Sequence, residues 1–142
     1  MRFAGDMTHV LETGFEVMEN ANPNGSPKVR GYNIVNGQLT LAKDGGTFES
    51  HNPAWLDDCL GEFPLSEKED VHDALSAAKA AFPGWASTPA PTRGQIIGNM
   101  GRLLMEYKDD IVRVETREIG KTLMESAGSV QEAIDTCLFF QS

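Results

Sequence analysis

The sequence predicts a mixed α/β chain in which a β-hairpin and short strands come first and about four α-helices follow. Asn36-Gly37 lies between two short runs of strand-forming residues in "YNIVNGQLTLAK", and this dipeptide accepts positive φ at both central positions of a type I′ hairpin turn. From Ser66 onward, apolar residues recur at helical spacing and are punctuated by helix breakers. Strand patterns do not return after the first helix, so no parallel βαβ unit is completed.

Residues 1–21 carry a weak amphipathic helical pattern, and the breaker-rich "NANPNGSPKVRG" at 20–31 reads as a linker. The folded domain is therefore expected over 31–142, with 1–30 left as an unassigned extension or linker. After the hairpin and the turn "KDGG", the segments "TFESHNP" and "CLGEFPL" read as extended, interrupted by the polar "AWLDD". Ser66 with Glu69 makes a capping box for the first helix. Its stripe is Val71, Ala74, Leu75, Ala78 and Phe82, and "PGW" is expected to stop it.

A second helix is expected from "TPAPTRG", with Thr88 as cap and Pro89 in the first turn, where its missing N–H is not needed. Its stripe is Ile96, Ile97, Met100, Leu103, Leu104 and Tyr107. A third runs from Asp109 or Asp110 to a C-cap at Gly120. A fourth, after Gly128, sets Val130, Ala133, Ile134, Cys137 and Leu138 on one face. The closing "CLFFQS" stands in mid-helix with two phenylalanines, as if its packing partner lay elsewhere.

Length and a 40% hydrophobic content suit one globular domain. The net charge of −9 disfavours nucleic acid and anionic membrane as partners. The first twenty residues carry no continuous apolar core, so they read as neither signal peptide nor membrane span. Cys59 and Cys137 form no CxxC pair, which fits a reducing compartment, with cytoplasm the expectation. His9, His51 and His72 are scattered without ligand spacing on a helix face. Neither cysteine has a nearby histidine in sequence, and Cys137 falls on the fourth helix's apolar stripe, so both read as small core residues rather than nucleophiles.

The "GKT" at Gly120, Lys121 and Thr122 invites a phosphate-binding loop. Such a loop needs a glycine five positions earlier, after a buried strand. That position is Glu115, whose carboxylate repels a polyphosphate, and the preceding residues have a helix's charge density. Gly120 instead reads as a helix end and the following residues as the next helix start. Glu115 and Glu118 fall on one helix face flanked by Arg113, Arg117 and Lys121, which reads first as a solvated, salt-bridged surface.

The order of "YNIVNGQ", "TFESHNPA", "GEFPLSEKEDVHDALSAAKAAFPGW", "TPAPTRGQII", "VETREIGK" and "GSVQEAIDTCLFF" resembles the N-terminal region of the NAD(P)-dependent aldehyde dehydrogenase superfamily. The resemblance covers residues 32–142, and "PAPTRGQI" and "GSVQEAID" are most similar to its antiquitin-like and semialdehyde dehydrogenase branch. It implies the first part of a Rossmann-like coenzyme-binding domain and an enzyme oxidising an aldehyde or semialdehyde to the acid with NAD or NADP. The family's "WNFP", "ELGG" and "GQxC" segments are absent from these residues. No catalytic or cofactor-binding residue is therefore assigned, and the chain alone is expected to be inactive.

The resemblance further implies a monovalent cation held by the carboxylate at Glu118 and the carbonyls of the segment before "NP", here Ser50 and His51. It matches Phe139 and Phe140 to an aromatic pair leading toward the substrate channel, but a helix end packing on further structure explains them better. A homo-oligomer is expected for the full-length protein. Two other readings stay open: a standalone module that binds a full-length homologue through its helix faces, and an unrelated small α+β domain.

Overall fold

The structure, a computed structural model, describes residues 15–18, 22, 25 and 27–142. It divides into two compact units, Met1–Ala81 and Phe82–Ser142.

The first unit is built on strands. β1 (Phe15–Val17), β2 (Val29–Gly31), β5 (Thr47–Asn52) and β6 (Trp55–Pro64) form one sheet in the order β1-β2-β6-β5. β3 (Asn33–Val35) and β4 (Gln38–Thr40) form a separate two-stranded sheet. The β3–β4 hairpin is the one expected. Asn36 and Gly37 have φ of 52° and 73°, and Val35 pairs with Gln38 across them, the left-handed pair that a type I′ turn requires.

Three expectations change here. The helix pattern over 1–21 gives way at Phe15–Val17 to a strand paired with β2, and the remainder up to residue 14 lies outside the described residues. The end of the expected linker, Val29–Gly31, is itself a strand, parallel to β6 through Val29 opposite Gly61 and Arg30 opposite Glu62. The polar "AWLDD" does not interrupt two extended segments. Trp55–Asp58 belongs to β6, and only Pro53-Ala54 separates it from β5. Asn52 makes that short turn possible by accepting the Ala54 N–H at 3.0 Å.

A buried polar side chain ties this unit together. Asn22, 4% exposed, donates its amide to the Cys59 carbonyl at 2.7 Å and accepts the Cys59 N–H at 3.1 Å. The same amide reaches Asp58, whose other oxygen accepts from Asn52 at 3.1 Å. A carboxylate buried to 3% exposure is tolerable because it is hydrogen-bonded on both oxygens. Close backbone approach completes the join: a Cβ at Gly61 would collide with the Val29 carbonyl on β2.

α1 (Lys68–Ser87) begins one residue later than the expected capping box implies. Asp70, not Glu69, reaches back to an N–H, that of Glu67, at 2.9 Å, while the Ser66 hydroxyl accepts from Asn33. Asp70 also accepts the Lys43 N–H, and the Lys43 ammonium meets Asp73 at 2.6 Å. That hydrogen bond raises the Lys43 pKa above its ordinary value. α1 also continues through Pro83, where a stop was expected. The proline costs one intrahelical bond, but the alanines at 77, 78, 80 and 81 favour helix strongly enough to carry it onward. The end comes at Ser87, where the Ser87 and Thr88 hydroxyls both bond the Gly84 carbonyl.

The second unit holds α2 (Ala90–Glu106), α3 (Lys108–Ile119) and α4 (Leu123–Phe140). The first residue before α2 is Pro89, and no side chain caps it; Thr88 is occupied with Gly84. On α2 only Ile97 and Leu104 of the expected stripe are half-buried, and the most buried positions are glycines. Gly94, Gly98 and Gly101 are buried, whereas Ile96, Met100, Leu103 and Tyr107 are 44–55% exposed. The glycines face the end of α4: a Cβ at Gly101 would lie 3.0 Å from the Cys137 Cβ, and at Gly94 or Gly98 it would collide with Gln141. Small residues here let two helix backbones approach where larger side chains would hold them apart.

α4 starts at Leu123, directly after the helix start expected beyond Gly120 and well ahead of the apolar face expected after Gly128. The signal is a capping box. The Thr122 hydroxyl accepts the Glu125 N–H at 3.3 Å, and the Glu125 carboxylate accepts the Thr122 N–H at 3.0 Å. The Thr122 N–H first, and its hydroxyl donating to the same carboxylate at 2.9 Å second, hold the Glu125 carboxyl below its ordinary value. Val112 of α3 and Val130 and Ile134 of α4 form the core, with Leu104, Ile111, Ala127 and Leu138 packed against them.

Candidate functional site

The α3–α4 corner decides what "GKT" is. Gly120 ends α3 with φ of 79°, donating its N–H to the Thr116 carbonyl, the left-handed cap that glycine adopts without steric cost. Thr122 caps the next helix. Between them the Lys121 ammonium donates to Glu115 at 3.0 Å and Ser129 at 2.9 Å. The carboxylate that argues against a phosphate loop in the sequence is the residue that holds this lysine. Thr116 and the fully buried Ser126 bond through their hydroxyls at 3.0 Å, so the corner is a latch between helices rather than a ligand cradle.

The residues expected to hold a cation fall on two elements. Ser50 and His51 are consecutive on β5 in the first unit, half-buried and exposed respectively. Glu118 is exposed on α3 in the second. Ser50 and His51 lie where the β5–β6 ladder slips: Ser50 opposes Gly61, His51 opposes Cys59, and Asn52 opposes Trp55. Such bulges release backbone groups from regular pairing and re-aim side chains.

The slip also brings together what the sequence keeps apart. Cys59 has no histidine near it along the chain, yet His51 faces it across the ladder. The His51 ring bonds the Leu56 carbonyl through Nδ1 at 2.8 Å and meets Glu49 through Nε2 at 3.2 Å. A signal for this was available: reading Trp55–Asp58 as strand rather than interruption makes "SHNPAW" a hairpin turn, and antiparallel pairing then sets His51 near Cys59.

Cys59 is 4% exposed, its thiol directed to the Gly61 carbonyl at 3.8 Å. Cys137 is half-buried on α4 beside Gly101. Both pack as the sequence suggests. Phe139 and Phe140 stack edge-to-face with centroids 5.2 Å apart and are 74% and 65% exposed. Among the described residues no helix is long and apolar enough to cross a membrane.

Comparison with known proteins gives the same answer from sequence and from structure. Residues 40–142 match the model of the aldehyde dehydrogenase family. The α-ketoglutarate semialdehyde dehydrogenase of Haloferax volcanii is 39% identical over 110 residues, 78% of this chain and 23% of that protein. The malonate-semialdehyde dehydrogenase of Bacillus pumilus is 37% identical over 108 residues, 76% of this chain and 22% of that one. Among solved structures, an aldehyde dehydrogenase from Brucella melitensis biovar abortus superposes with a TM-score of 0.74 at 32% identity, over 78% of this chain and 23% of that one. An NAD-dependent aldehyde dehydrogenase from Sinorhizobium meliloti gives 0.75 at 23% identity, over 79% and 23%. The chain thus spans less than a quarter of the length of these relatives. With its family-model match across most of its length and its mixed α/β fold shared with these enzymes, the chain belongs to the aldehyde dehydrogenase family.

Proposed function

We propose that this chain supplies the N-terminal part of an oxidoreductase that converts an aldehyde or semialdehyde to the carboxylic acid with NAD or NADP. The observation that carries the reading is the family-model match over residues 40–142, and the similarity to semialdehyde dehydrogenases favours a semialdehyde substrate. The chemistry of the family needs a thiolate that attacks the aldehyde carbon, a nicotinamide that accepts hydride and a base that admits water. Cys59 is buried beneath the sheet ladder and Cys137 is wedged against α2, so neither is offered to a substrate carbonyl. On this proposal the 142-residue chain by itself does not oxidise aldehydes.

The test is direct. The purified chain, incubated with a panel of aldehydes and semialdehydes and either nicotinamide cofactor, is expected to produce no reduced cofactor. The polypeptide extended by the coding sequence that follows it is expected to do so, and as a homo-oligomer. Turnover by the 142-residue chain overturns the assignment of its role as a part.

A second reading, a module that binds a full-length homologue, is favoured by one observation. Ile96, Met100 and Leu103 on α2 and Phe139 and Phe140 at the end of α4 are 44–74% exposed, more apolar surface than a self-sufficient helical unit usually leaves to water. Stable 1:1 binding to a purified full-length homologue, with no active extended form encoded downstream, selects this reading.

The cation reading belongs here as well. Glu118 offers a carboxylate and Ser50 and His51 main-chain carbonyls, the hard oxygen donors that a monovalent ion accepts. A thermal midpoint that rises with K⁺ or Na⁺ in the wild-type chain and not in Glu118→Gln supports it; equal responses in both remove Glu118 from the site.

A further inference from the structure

We propose that Glu49, His51 and Cys59 form a binding site for a divalent transition-metal ion with the nitrogen and sulfur preference of zinc. Their ligand atoms all lie within 4.8 Å of one another, on paired strands of one sheet.

The register explains how three such residues meet. Glu49 and His51, two apart on β5, share a face of the sheet. On β6, strict alternation from Glu62, the partner of Glu49, would turn Cys59 to the other face. The slip after Ser50 removes that mismatch: Leu60 is the extra residue, and Cys59 comes level with His51. A second slip falls between His51 and Asn52, which oppose Cys59 and Trp55. This places the Leu56 carbonyl 2.8 Å from His51 Nδ1.

That carbonyl fixes the chemistry of the imidazole. A carbonyl oxygen only accepts, so Nδ1 carries the hydrogen, and in the neutral ring Nε2 presents its lone pair. Nε2 lies 3.2 Å from Glu49 Oε2, which also only accepts when ionised. Two acceptors face each other at that distance when a proton or a cation joins them. Orientation of one ring nitrogen by a backbone carbonyl, with the other directed at a shared ligand position, is the usual support for a metal-bound histidine.

The Cys59 thiol supplies the third ligand from the buried side, while His51 and Glu49 have 38% and 53% of their side chains exposed and give an ion a path from solvent. One sulfur, one nitrogen and one carboxylate oxygen leave a fourth tetrahedral position for water. Binding replaces the thiol proton, which passes to solvent, and involves no oxidation. The side-chain site differs in kind from the carbonyl-lined cation position, although His51 contributes to both.

Cobalt(II) is the probe, because thiolate ligation gives it a charge-transfer band in the near ultraviolet and tetrahedral geometry gives it visible bands. Titration of the reduced 142-residue chain is expected to raise both, saturating at one ion per chain, with Zn²⁺ displacing the cobalt. Cys59→Ser is expected to abolish the charge-transfer band and Cys137→Ser to leave it unchanged. His51→Gln and Glu49→Gln are expected to weaken binding by at least the roughly 10–100-fold that loss of an outer-shell partner costs. The proposal is overturned if the folded chain shows no thiolate band or if the band follows Cys137. Should Cys59→Ser fail to fold by circular dichroism, the two exposed-side-chain variants decide: unchanged affinity in both overturns the site.

Discussion

The two units solve the same problem, joining segments distant in sequence, with different materials. In the sheet unit, the joints are polar: Asn22 grips both backbone groups of Cys59, and Asp58 is held between two asparagines. In the helical unit, the centre is an apolar line of Val112, Val130 and Ile134, and α2 closes on α4 through glycines. Strands leave backbone groups to be satisfied by a neighbour, so irregular stretches such as Leu56–Asp58 recruit side chains to finish the accounting. Helices satisfy their own backbone, and what remains is how closely two cylinders can pack. Of the two, the sheet unit consequently carries the bulges that bring chemically active side chains together.

Substitutions that attack each joint in turn can break this contrast, and the two tryptophans help, since Trp55 lies in one unit and Trp85 in the other. The largest effect is expected from Ile134→Ala, which empties the most deeply buried apolar site, 1% exposed. The loss should be about 4 kcal/mol in a urea titration followed at Trp85. Gly61→Val should follow, at roughly 3 kcal/mol followed at Trp55, because its Cβ meets a backbone carbonyl that cannot rotate away. Asn22→Ala leaves the Cys59 N–H and carbonyl unpaired and is expected to cost about 2 kcal/mol. A loss as small as that of a surface substitution would show that the sheet unit does not depend on its polar joint.

Thr122→Ala should have the smallest effect, about 1 kcal/mol, through loss of the α4 cap. Its signature is in the pH dependence. The folded-state pKa of Glu125 is depressed below 4.5, so its contribution is complete above that value and fades as pH falls through the lowered one. The gap between wild type and Glu125→Gln should therefore narrow on acidification and remain constant at neutral pH. Because Glu125 is exposed, a gap already closed at neutral pH in high salt would show that screening, not the hydrogen bonds, governs it.

Local chemistry was legible wherever a motif acts within a few residues. The Asn36-Gly37 turn, the Gly120 cap and the rejection of a phosphate loop at Lys121 all follow from short-range geometry, and the structure agrees with each. Helix periodicity found all four helices but misjudged burial on α2, where Ile96, Met100, Leu103 and Tyr107 of the stripe are exposed, Ile97 and Leu104 half-buried, and the glycines covered. A hydrophobic stripe says which face prefers to be buried, whereas a row of small residues says how near a neighbour can come, and here the second governs. The helix start after Gly120 was legible in "GKT", but its capping box, Thr122 with Glu125, was not singled out, and the apolar face of α4 was followed only beyond Gly128.

The candidate sites divide along the same line. Family membership follows from the order of motifs along the chain, because homologous proteins keep that order, and the family-model match agrees. The sequence by itself also determined the Asn36-Gly37 turn and the Gly120 helix end, since each depends on residues a few positions apart. Only the tertiary structure decided that His51 faces Cys59, that Val29–Gly31 is a strand beside β6, and that Asn22 holds Cys59 from 37 residues away. Strand register is set by contacts between distant segments, and a slip of one residue exchanges the two faces of a strand.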